Sequence, residues 1–434
     1  MTDTATPGYE GTAAPRAAIL FIFITVLMSI IGFGIIIPVM PELIMSLTGR
    51  NEAGAAALQG YLLGVYGLMQ LIMSPILGAL SDRFGRRPVI LTSVAAYAAD
   101  FLLMAVAPTF AWLFLGRALS GATAATFAAS NAFIADVSPP EKRAGNFGLL
   151  GAAFGLGFIV GPALGGWLAE LGTELHGEAA GVRWPFYAAA CVCFLNFLFG
   201  VFVLPESLAK SRRRRFEWRR AWPLGGLISV GRHPVVIGVL CAYFLMQLAH
   251  GALPAVWAFF GAEKFGWGPG AIGTSLAFVG VTAALVQGGL TCVVIPKIGQ
   301  RRAVYLGLFT MTASFLGYAF ATPQGGFVYL WIVVGAFGGF LMPAMQGLMS
   351  AATPESEQGE LQGAIASVMS VTTVVSPLVM TQVFARFTHD GADPYFPGAP
   401  FVVAAVVLAA ALIPFRRTMQ REGVRRRLAA QHAS

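Results

Sequence analysis

Charged side chains are scarce in this chain. Only 11% of its 434 residues are Asp, Glu, Lys or Arg, whereas 57% are hydrophobic. A water-soluble globular protein needs far more polar groups to cover its surface, so this balance excludes that class. The composition instead predicts a protein that crosses a lipid bilayer several times.

Cysteine is also rare, and no cluster of His, Asp or Glu stands beside the four cysteines. They are Cys191, Cys193, Cys241 and Cys292, and all lie within apolar stretches. This placement predicts packing residues rather than metal ligands. The apolar stretches offer no nucleophile paired with a base, and the G-x-x-x-x-G-K-[ST] loop of ATP-driven pumps is missing. We therefore expect neither an enzyme nor a bound metal or cofactor.

The basic residues, which leave a net charge of +8, fall almost entirely in the gaps between apolar runs. This distribution follows membrane topology, so we expect no nucleic-acid partner. Four basic residues occupy the gaps of one side, namely Arg50, Arg183, Lys264 and Arg386. The others, apart from Arg117 within an apolar run, occupy the opposite gaps and the two tails. The asymmetry predicts a multi-pass protein of the inner (cytoplasmic) membrane with both termini in the cytoplasm.

Apolar runs of about 20 residues, the length that crosses a bilayer, occur twelve times. The predicted spans cover residues 17–41, 58–80, 88–107, 110–136, 144–169, 185–205, 234–260, 271–294, 302–321, 327–350, 359–383 and 397–415. The predicted parts are an N-terminal tail (1–16), a first six-helix bundle (17–205), a basic linker (206–233), a second six-helix bundle (234–415) and a basic C-terminal tail (416–434). The fold class is therefore an all-α membrane protein with twelve transmembrane helices.

A faint internal repeat relates the two halves. The segment D-R-F-G-R-R-P at 82–88 is echoed by P-K-I-G-Q-R-R at 296–302, and S-P-P-E-K-R-A-G-N-F-G at 138–148 by T-P-E-S-E-Q-G-E-L-Q-G at 353–363. Such repeats predict two pseudo-symmetric six-helix bundles. Pro296 stands where the first copy has Asp82, so the two copies need not act alike.

The polar segment Gly78–Arg87, here called the latch segment, separates predicted spans 2 and 3. Its G-x-x-x-D-R-x-G-R-R motif, the twelve spans and the two halves resemble the major facilitator superfamily over essentially the whole chain. The resemblance implies a cytoplasmic gate that ties helix ends together. Its residues would be Gly78, Asp82, Arg83, Gly85, Arg86 and Arg87, with Asp136 and Arg143 in the surrounding charge network. The alternative is that these arginines only set the topology.

Predicted span 5 carries closely spaced glycines around one proline. They are Gly155, Gly157, Gly161, Pro162, Gly165 and Gly166. Small residues at such intervals let a neighbouring helix approach closely, and the proline bends the backbone. The pattern resembles the antiporter signature of the superfamily. The alternative is a close-packing face without directional meaning, which uniporters would share.

Shorter matches narrow the resemblance to the tetracycline/proton antiporter branch. They lie at 32–41, 66–70, 116–121, 247–257, 263–267 and 343–350, in both halves. That branch carries ionisable residues in helices 1, 8 and 9, where this chain aligns Ser29, Ala283 and Met311. The resemblance therefore leaves the identity of the drug and the path of the proton open.

Few ionisable residues remain within the predicted spans, and such residues are candidates for function because their desolvation is costly. Asp100 in span 3 and Arg117 in span 4 each lie about 12 Å from the turn that joins the two helices. They either form an ion pair or face different neighbours, in which case Asp100 would exchange a proton. His250 in span 7 either titrates near neutral pH or hydrogen-bonds to Gln247 or Gln346.

Polar side chains within the spans are the candidates for substrate contact. They are Gln70, Asn131, Gln247, His250, Gln287 and Gln346, with Trp257 as an apolar face. Such a set suits an amphipathic compound. The alternative for each is ordinary helix packing, which is favoured for the aromatic residue.

The combined prediction is a proton-coupled transporter that exports an amphipathic or lipophilic small molecule by alternating access. Its expected partners are that substrate, protons and the bilayer, and we expect it to act as a monomer. One alternative is a proton symporter or uniporter of a metabolite. The other is a non-transporting membrane scaffold or sensor with the same fold.

Overall fold

The computed structural model describes residues 15–124, 126–138, 140–213, 233–322, 326–354 and 357–432, and within these ranges it contains twelve helical spans. In the first half they are Pro15–Ile35 with Met40–Thr48 (span 1), Glu52–Phe84 (span 2), Arg86–Val106 (span 3), Phe110–Ala122 with Thr126–Val137 (span 4), Pro140–His176 (span 5) and Trp184–Val203 (span 6). In the second half they are Pro234–His250 with Ala252–Phe265 (span 7), Pro269–Leu285 with Thr291–Ile298 (span 8), Gln300–Ala319 (span 9), Gly326–Ala336 with Leu341–Ala351 (span 10), Gln358–Thr388 (span 11) and Ala399–His432 (span 12).

Ten of these spans, counted over the described residues, are long and apolar enough to cross a bilayer on their own. Span 4 is interrupted after Ala122, and span 9 begins on Gln300, Arg301 and Arg302, which lower its mean hydropathy. Both are nevertheless helical at the positions that the sequence predicts. The fold is the predicted twelve-helix one.

Several helices extend beyond the apolar run that predicted them. Span 5 covers 37 residues, although its apolar run was predicted at 144–169. The apolar run measures the thickness of the hydrocarbon, whereas backbone hydrogen bonds continue the helix into the polar boundary.

Span 1 differs from its prediction in being divided. A 3-10 turn at Ile37–Val39 separates its two helices, and the second helix continues to Thr48. Pro38 lacks the amide hydrogen that a continuous helix needs, so the break includes this residue, and Pro41 lies in the first turn of the second helix, where a proline is tolerated. Span 8 is also irregular, with a π-helical turn at Val286–Leu290.

The chain forms two compact units. Within the described residues, unit 1 comprises 15–50, 65–213 and 267–280, and unit 2 comprises 51–64, 233–266 and 281–432. In unit 1, span 1 packs on span 5 and span 3 packs on span 6. Phe21 and Ile22 of span 1, Ile90 of span 3 and Phe133 of span 4 are buried together in its core.

In unit 2, aromatic side chains form the core around span 7. The rings of Trp257 and Tyr318 meet edge to face with centroids 5.1 Å apart, and those of Phe260 and Phe401 do so at 4.8 Å. Edge-to-face contacts of this kind stabilise beyond the area they bury. This core joins spans 7, 9 and 12.

The same glycine turn begins span 3 and span 9. Gly85 has a φ of +112° and Gly299 a φ of +80°, values that favour glycine because it has no Cβ. The two glycines are the aligned residues of the repeated segment. The structure thus contains the duplicated turn that the sequence repeat predicts.

Basic residues hold the opposite ends of these two helices. Arg183 donates to the carbonyl oxygens of Ala105 (2.6 Å) and Ala107 (3.0 Å) at the end of span 3. Lys264 donates to the carbonyl oxygen of Ala319 (2.6 Å) at the end of span 9. A cation at a helix C-terminus satisfies free carbonyls and the helix dipole. Two of the four basic residues on the less basic side are therefore helix caps.

Candidate functional site

The latch segment converges on the side chain of Arg86 in unit 1. Its Nη1 lies 2.6 Å from Asp82 Oδ1, and its Nε donates to Asp136 Oδ2 at 3.2 Å. Nη1 also donates to the hydroxyl of Ser81 at 3.2 Å. Gly85 allows the sharp turn that places Arg86 at the start of span 3. One guanidinium thus joins the end of span 2 to the end of span 4.

Other predicted latch residues take different positions. Arg87 donates to the carbonyl oxygen of Val201 in span 6 at 2.7 Å. Arg83 is exposed and lies over the ring of Phe84, outside the network. Gly78 faces open space, where an added Cβ would meet nothing within 4 Å. The side chain of Arg143 lies outside the described part of the chain.

One carboxylate of this region was missed in the sequence. Glu206, directly after span 6, accepts a hydrogen bond from the backbone N–H of Arg86 at 2.8 Å. Its neighbour Ser207 donates to Asp136 Oδ2 at 3.2 Å. The available signal was an acidic residue at the start of a strongly basic linker. That signal does not reveal a partner 120 positions earlier.

The second copy of the latch segment is built without an acid. Gly299 makes the same turn, but Gln300 replaces Arg86, and its side chain lies against Gly347 of span 10. Pro296, in the place of Asp82, lies within the helix Thr291–Ile298. The two copies therefore differ as expected, because the second copy has neither the acidic residue nor the arginine that form the ion pair in the first.

Asp100 and Arg117 form an ion pair within unit 1. Arg117 Nη2 contacts Asp100 Oδ2, and the two side chains are 4% and 0% exposed, respectively. Of the two arrangements that the sequence left open, the structure has the paired one. Gly116 makes room for the carboxylate, because a Cβ there would overlap Asp100 Oδ1.

The surroundings of this pair are mainly aromatic. The rings of Tyr66 and Phe101 each lie 5.9 Å from the Arg117 guanidinium, a distance at which the ring faces attract a cation. Asp100 Oδ1 and Arg117 Nε have no hydrogen-bond partner among the described residues. The pair is thus buried but only half satisfied, which makes it sensitive to the loss of either member.

The glycines of span 5 pack against span 1. A Cβ on Gly157 would lie 2.7 Å from the side chain of Ile30, and one on Gly161 would lie 2.8 Å from the carbonyl oxygen of Ile31. A Cβ on Gly165 would overlap the carbonyl oxygen of Ile35. These glycines therefore allow backbone-to-backbone approach along one face of span 5.

Another face of span 5 meets residues 269–280 of span 8, which belong to the same unit. A Cβ on Gly166 would overlap the carbonyl oxygen of Pro269, and one on Gly273 would overlap that of Pro162. The glycine pattern thus serves two close contacts at once. Gly155, at the start of the pattern, faces open space.

The predicted substrate residues are divided between the two units. Gln70 and Asn131 are half-buried in unit 1. In unit 2, Gln247 and Gln346 are half-buried, and His250 and Gln287 are exposed. Within the described residues, His250 hydrogen-bonds to neither Gln247 nor Gln346, and it ends the first helix of span 7. Gln287 lies in the π-helical turn and touches Gly339.

Trp257 differs from these polar residues because its side chain is 1% exposed. It belongs to the aromatic core of unit 2, where Tyr318 and Phe401 cover its ring. The structure therefore places it as a packing residue, the alternative favoured for aromatic side chains.

Unit 2 also holds a cavity of about 340 Å³ at the start of span 2 and the end of span 11. Glu52, Glu263, Asp390 and Tyr395 are among the residues that line it. Tyr395 donates a hydrogen bond to Glu263, and partial burial together with that carboxylate raises the pKa of the phenol. The cavity is acidic, and the sequence pattern did not predict it.

The family model of the Major Facilitator Superfamily matches residues 22–325 and 235–433. The chain belongs to the major facilitator superfamily. Its repeated glycine turn and latch segment are therefore features of a major facilitator protein.

Relatives within the superfamily include two proteins of Escherichia coli. The class C tetracycline resistance protein is 36% identical over 403 residues, which cover 92% of this chain and 96% of that protein. The class E protein is 34% identical over 395 residues and covers 90% and 94%. Among solved structures, a bacterial homologue of the human lysosomal transporter Spinster has a TM-score of 0.76 at 17% identity, covering 94% of this chain and 98% of that chain.

These comparisons confirm the predicted branch and class. This major facilitator protein is a multi-pass membrane protein of the tetracycline-efflux-like branch. It is a drug/proton antiporter and not an enzyme. Its partners are a small-molecule substrate and protons. Neither a symporter or uniporter of a metabolite nor a non-transporting scaffold or sensor is better supported than an antiporter.

Proposed function

We propose that this antiporter exports an amphipathic compound from the cytoplasm, with the Asp100–Arg117 pair carrying the proton. The observation that supports this assignment is the buried, half-satisfied ion pair in unit 1. Positions 29, 283 and 311 hold Ser, Ala and Met, which cannot take up a proton. Among the Asp, Glu, Lys and Arg residues that the structure describes, only Asp100 and Arg117 are buried. His250 is a second candidate.

The physical basis of the coupling is that an isolated carboxylate is very costly in an apolar interior. Asp100 therefore has two low-energy forms, one ionised beside Arg117 and one protonated without it. A movement that separates the two side chains favours uptake of a proton, and their return favours its release. Exchange between these forms converts a proton gradient into a conformational preference.

The latch segment supplies the gate in this proposal. We propose that it lies on the cytoplasmic side, with both termini, and that the Asp82–Arg86–Asp136 cluster stabilises the closed gate. We also propose that the basic linker 206–233 divides the chain into its two six-helix bundles and that the protein acts as a monomer. The cluster joins the ends of spans 2, 3 and 4, so its loss frees three helix ends together.

The proposed substrate contacts are Gln70, Asn131, Gln247, His250, Gln287 and Gln346, without the buried Trp257. Amide and imidazole groups within apolar helices suit a compound with both polar and apolar faces. Tetracycline is the first compound to test, because the relatives are named for resistance to it.

Transport in proteoliposomes tests this function. Vesicles with an acidic lumen are diluted into alkaline buffer that contains tetracycline or another amphipathic drug, and drug uptake and lumenal pH are followed. An antiporter is expected to accumulate the drug while the lumen becomes alkaline. A symporter would instead hold the lumenal drug below its external concentration, because protons that leave the lumen carry drug with them, and a uniporter would only equilibrate it. No drug movement across a broad panel would favour the scaffold alternative.

Asp82→Asn is expected to lower the transport rate several-fold and leave drug affinity unchanged. The Asp82 side chain is 43% exposed, so its ion pair contributes less than about 1 kcal/mol to overall stability. Its expected effect is on gate closure, measured as the ratio of transport rate to binding affinity. Pro296→Asn is the matched variant in the second copy and should change transport less. Equal transport rates for Asp82→Asn and wild type would contradict the proposed role of the latch segment in closing the gate.

A further inference from the structure

Glu206 is placed to hold the start of span 3. One of its oxygens, Oε1, accepts hydrogen bonds from the backbone N–H groups of Arg86 (2.8 Å) and Leu208 (3.0 Å). The other, Oε2, lies 3.8 Å from Nη2 of Arg213. The first N–H groups of a helix have no partner within the helix, and its N-terminus attracts negative charge. A carboxylate from the end of span 6 thus caps the helix that begins at the latch.

The carboxylate of Glu206 lies against Gly85, in space that the absence of a Cβ leaves free. A Cβ on Gly85 would overlap Glu206 Oε2 and lie 2.7 Å from its Cδ. The carboxylate occupies the space that any other residue at position 85 would fill.

Neighbouring contacts tie the same stretch of chain to the latch residues. Ser207 donates to Asp136 Oδ2, the oxygen that also accepts from Arg86. Arg87 donates to the carbonyl oxygen of Val201. The end of span 6 and the first residues of the linker are thus bonded to both members of the Arg86–Asp136 pair.

In the second half of the chain, no such capping carboxylate is present among the residues that the structure describes. Span 6 is followed by L-P-E-S at 204–207, whereas span 12 contains I-P-F-R at 413–416. Phe415, in the place of Glu206, is fully buried and packs edge to face on Tyr305, with ring centroids 5.2 Å apart. Ring packing there replaces the capping carboxylate, although the glycine turn at Gly299 is retained.

We propose that Glu206 is a positioning residue of the latch. It fixes the N-terminus of span 3 so that Arg86 reaches Asp82 and Asp136, and it ties the start of the linker to the closed gate. The inference rests on the proposed function of the latch segment as a gate. It adds a carboxylate from outside the segment to that gate.

Accessibility of a buried cysteine tests the proposal. The four native cysteines are replaced by alanine, and Val137→Cys is introduced beside Asp136, where the side chain is only 8% exposed. Inside-out membrane vesicles are then treated with a membrane-impermeant maleimide. Glu206→Ala is expected to raise the labelling rate about tenfold, the size of effect that loss of a helix cap produces. Glu206→Gln, which keeps an oxygen acceptor without the charge, should give an intermediate rate.

Matched variants separate this role from general damage. Glu360→Gln removes an exposed carboxylate from the first turn of another helix and should label like the background. Asp82→Asn should raise labelling as Glu206→Ala does. Transport by Glu206→Gln should show a lower maximal rate at unchanged KM. If Glu206→Ala fails to fold, Glu206→Gln and its partial effect decide the question.

Labelling of the Glu206 variants at the background rate, or a raised KM with unchanged labelling, would overturn the proposal. The labelling needs neither drug nor proton gradient. A wild-type protein that fails to exchange drug for protons would therefore contradict the proposed function and leave the test of Glu206 intact.

Discussion

Replacing Arg117 with methionine is expected to abolish transport driven by a pH gradient and to destabilise the protein by about 3–5 kcal/mol. The substitution keeps the length and apolar stem of the side chain but leaves Asp100 without its cation. The carboxylate is fully buried, and its second oxygen has no partner among the described residues. It must then take up a proton permanently or remain ionised at great cost.

Unfolding of the purified protein in detergent measures this effect. Combining Arg117→Met with Asp100→Asn is expected to recover most of the stability, because both charges are then gone, but not the proton coupling. Arg117→Lys keeps the charge and should lose less than Arg117→Met. If Arg117→Met were as stable as wild type, the Asp100–Arg117 ion pair would not stabilise the protein in the way proposed.

Gly165→Val is expected to produce the second large effect, a loss of about 3 kcal/mol of stability together with loss of transport. Even the first carbon of a side chain at this position would overlap the carbonyl oxygen of Ile35. That atom belongs to the backbone of span 1, so no rotamer change can relieve the overlap. Span 1 must move away from span 5 along their shared face.

The same helix offers a matched control. Gly155→Val places the same side chain at a position where an added Cβ meets nothing within 4 Å, and it should leave stability and transport near wild type. Both variants can be compared by thermal unfolding and by transport in proteoliposomes. Equal damage from the two would show that valine disturbs the helix itself rather than its contact with span 1.

The features predicted from sequence are those that depend on composition and on local spacing. Long apolar runs are enough to find spans, because each helix must satisfy its backbone hydrogen bonds alone in lipid. Depth along adjacent antiparallel helices placed Asp100 and Arg117 at one level, and they do meet. The repeated glycine predicted the same turn at Gly85 and Gly299, and both have a positive φ.

Features that depend on distant contacts were not predicted. Glu206 caps a helix that begins 120 positions earlier, and no periodic pattern connects the two. The sequence also does not reveal which neighbours an aromatic side chain faces. Trp257 is therefore a candidate substrate contact by sequence, whereas in the structure its ring is buried inside unit 2. The acidic cavity at Glu52, Glu263 and Asp390 combines residues from three separate stretches of chain.

The two copies of the latch segment illustrate both cases. Their shared turn followed from the repeated glycine, and their chemical difference followed from Asp82 and Pro296. The capping carboxylate adds a second difference, since Phe415 stands where the first half has Glu206. We therefore expect charge to govern the gate in the first half and packing to govern its counterpart.

The proposed role of Asp100 as the carrier of the coupled proton can be tested with a single substitution. Wild type and Asp100→Asn are reconstituted, and two activities are measured with the same drug: accumulation driven by an acidic lumen, and exchange of labelled for unlabelled drug without a pH gradient. We expect Asp100→Asn to retain exchange of the drug but to lose accumulation driven by the acidic lumen. Accumulation by Asp100→Asn at the wild-type level would show that another group carries the proton.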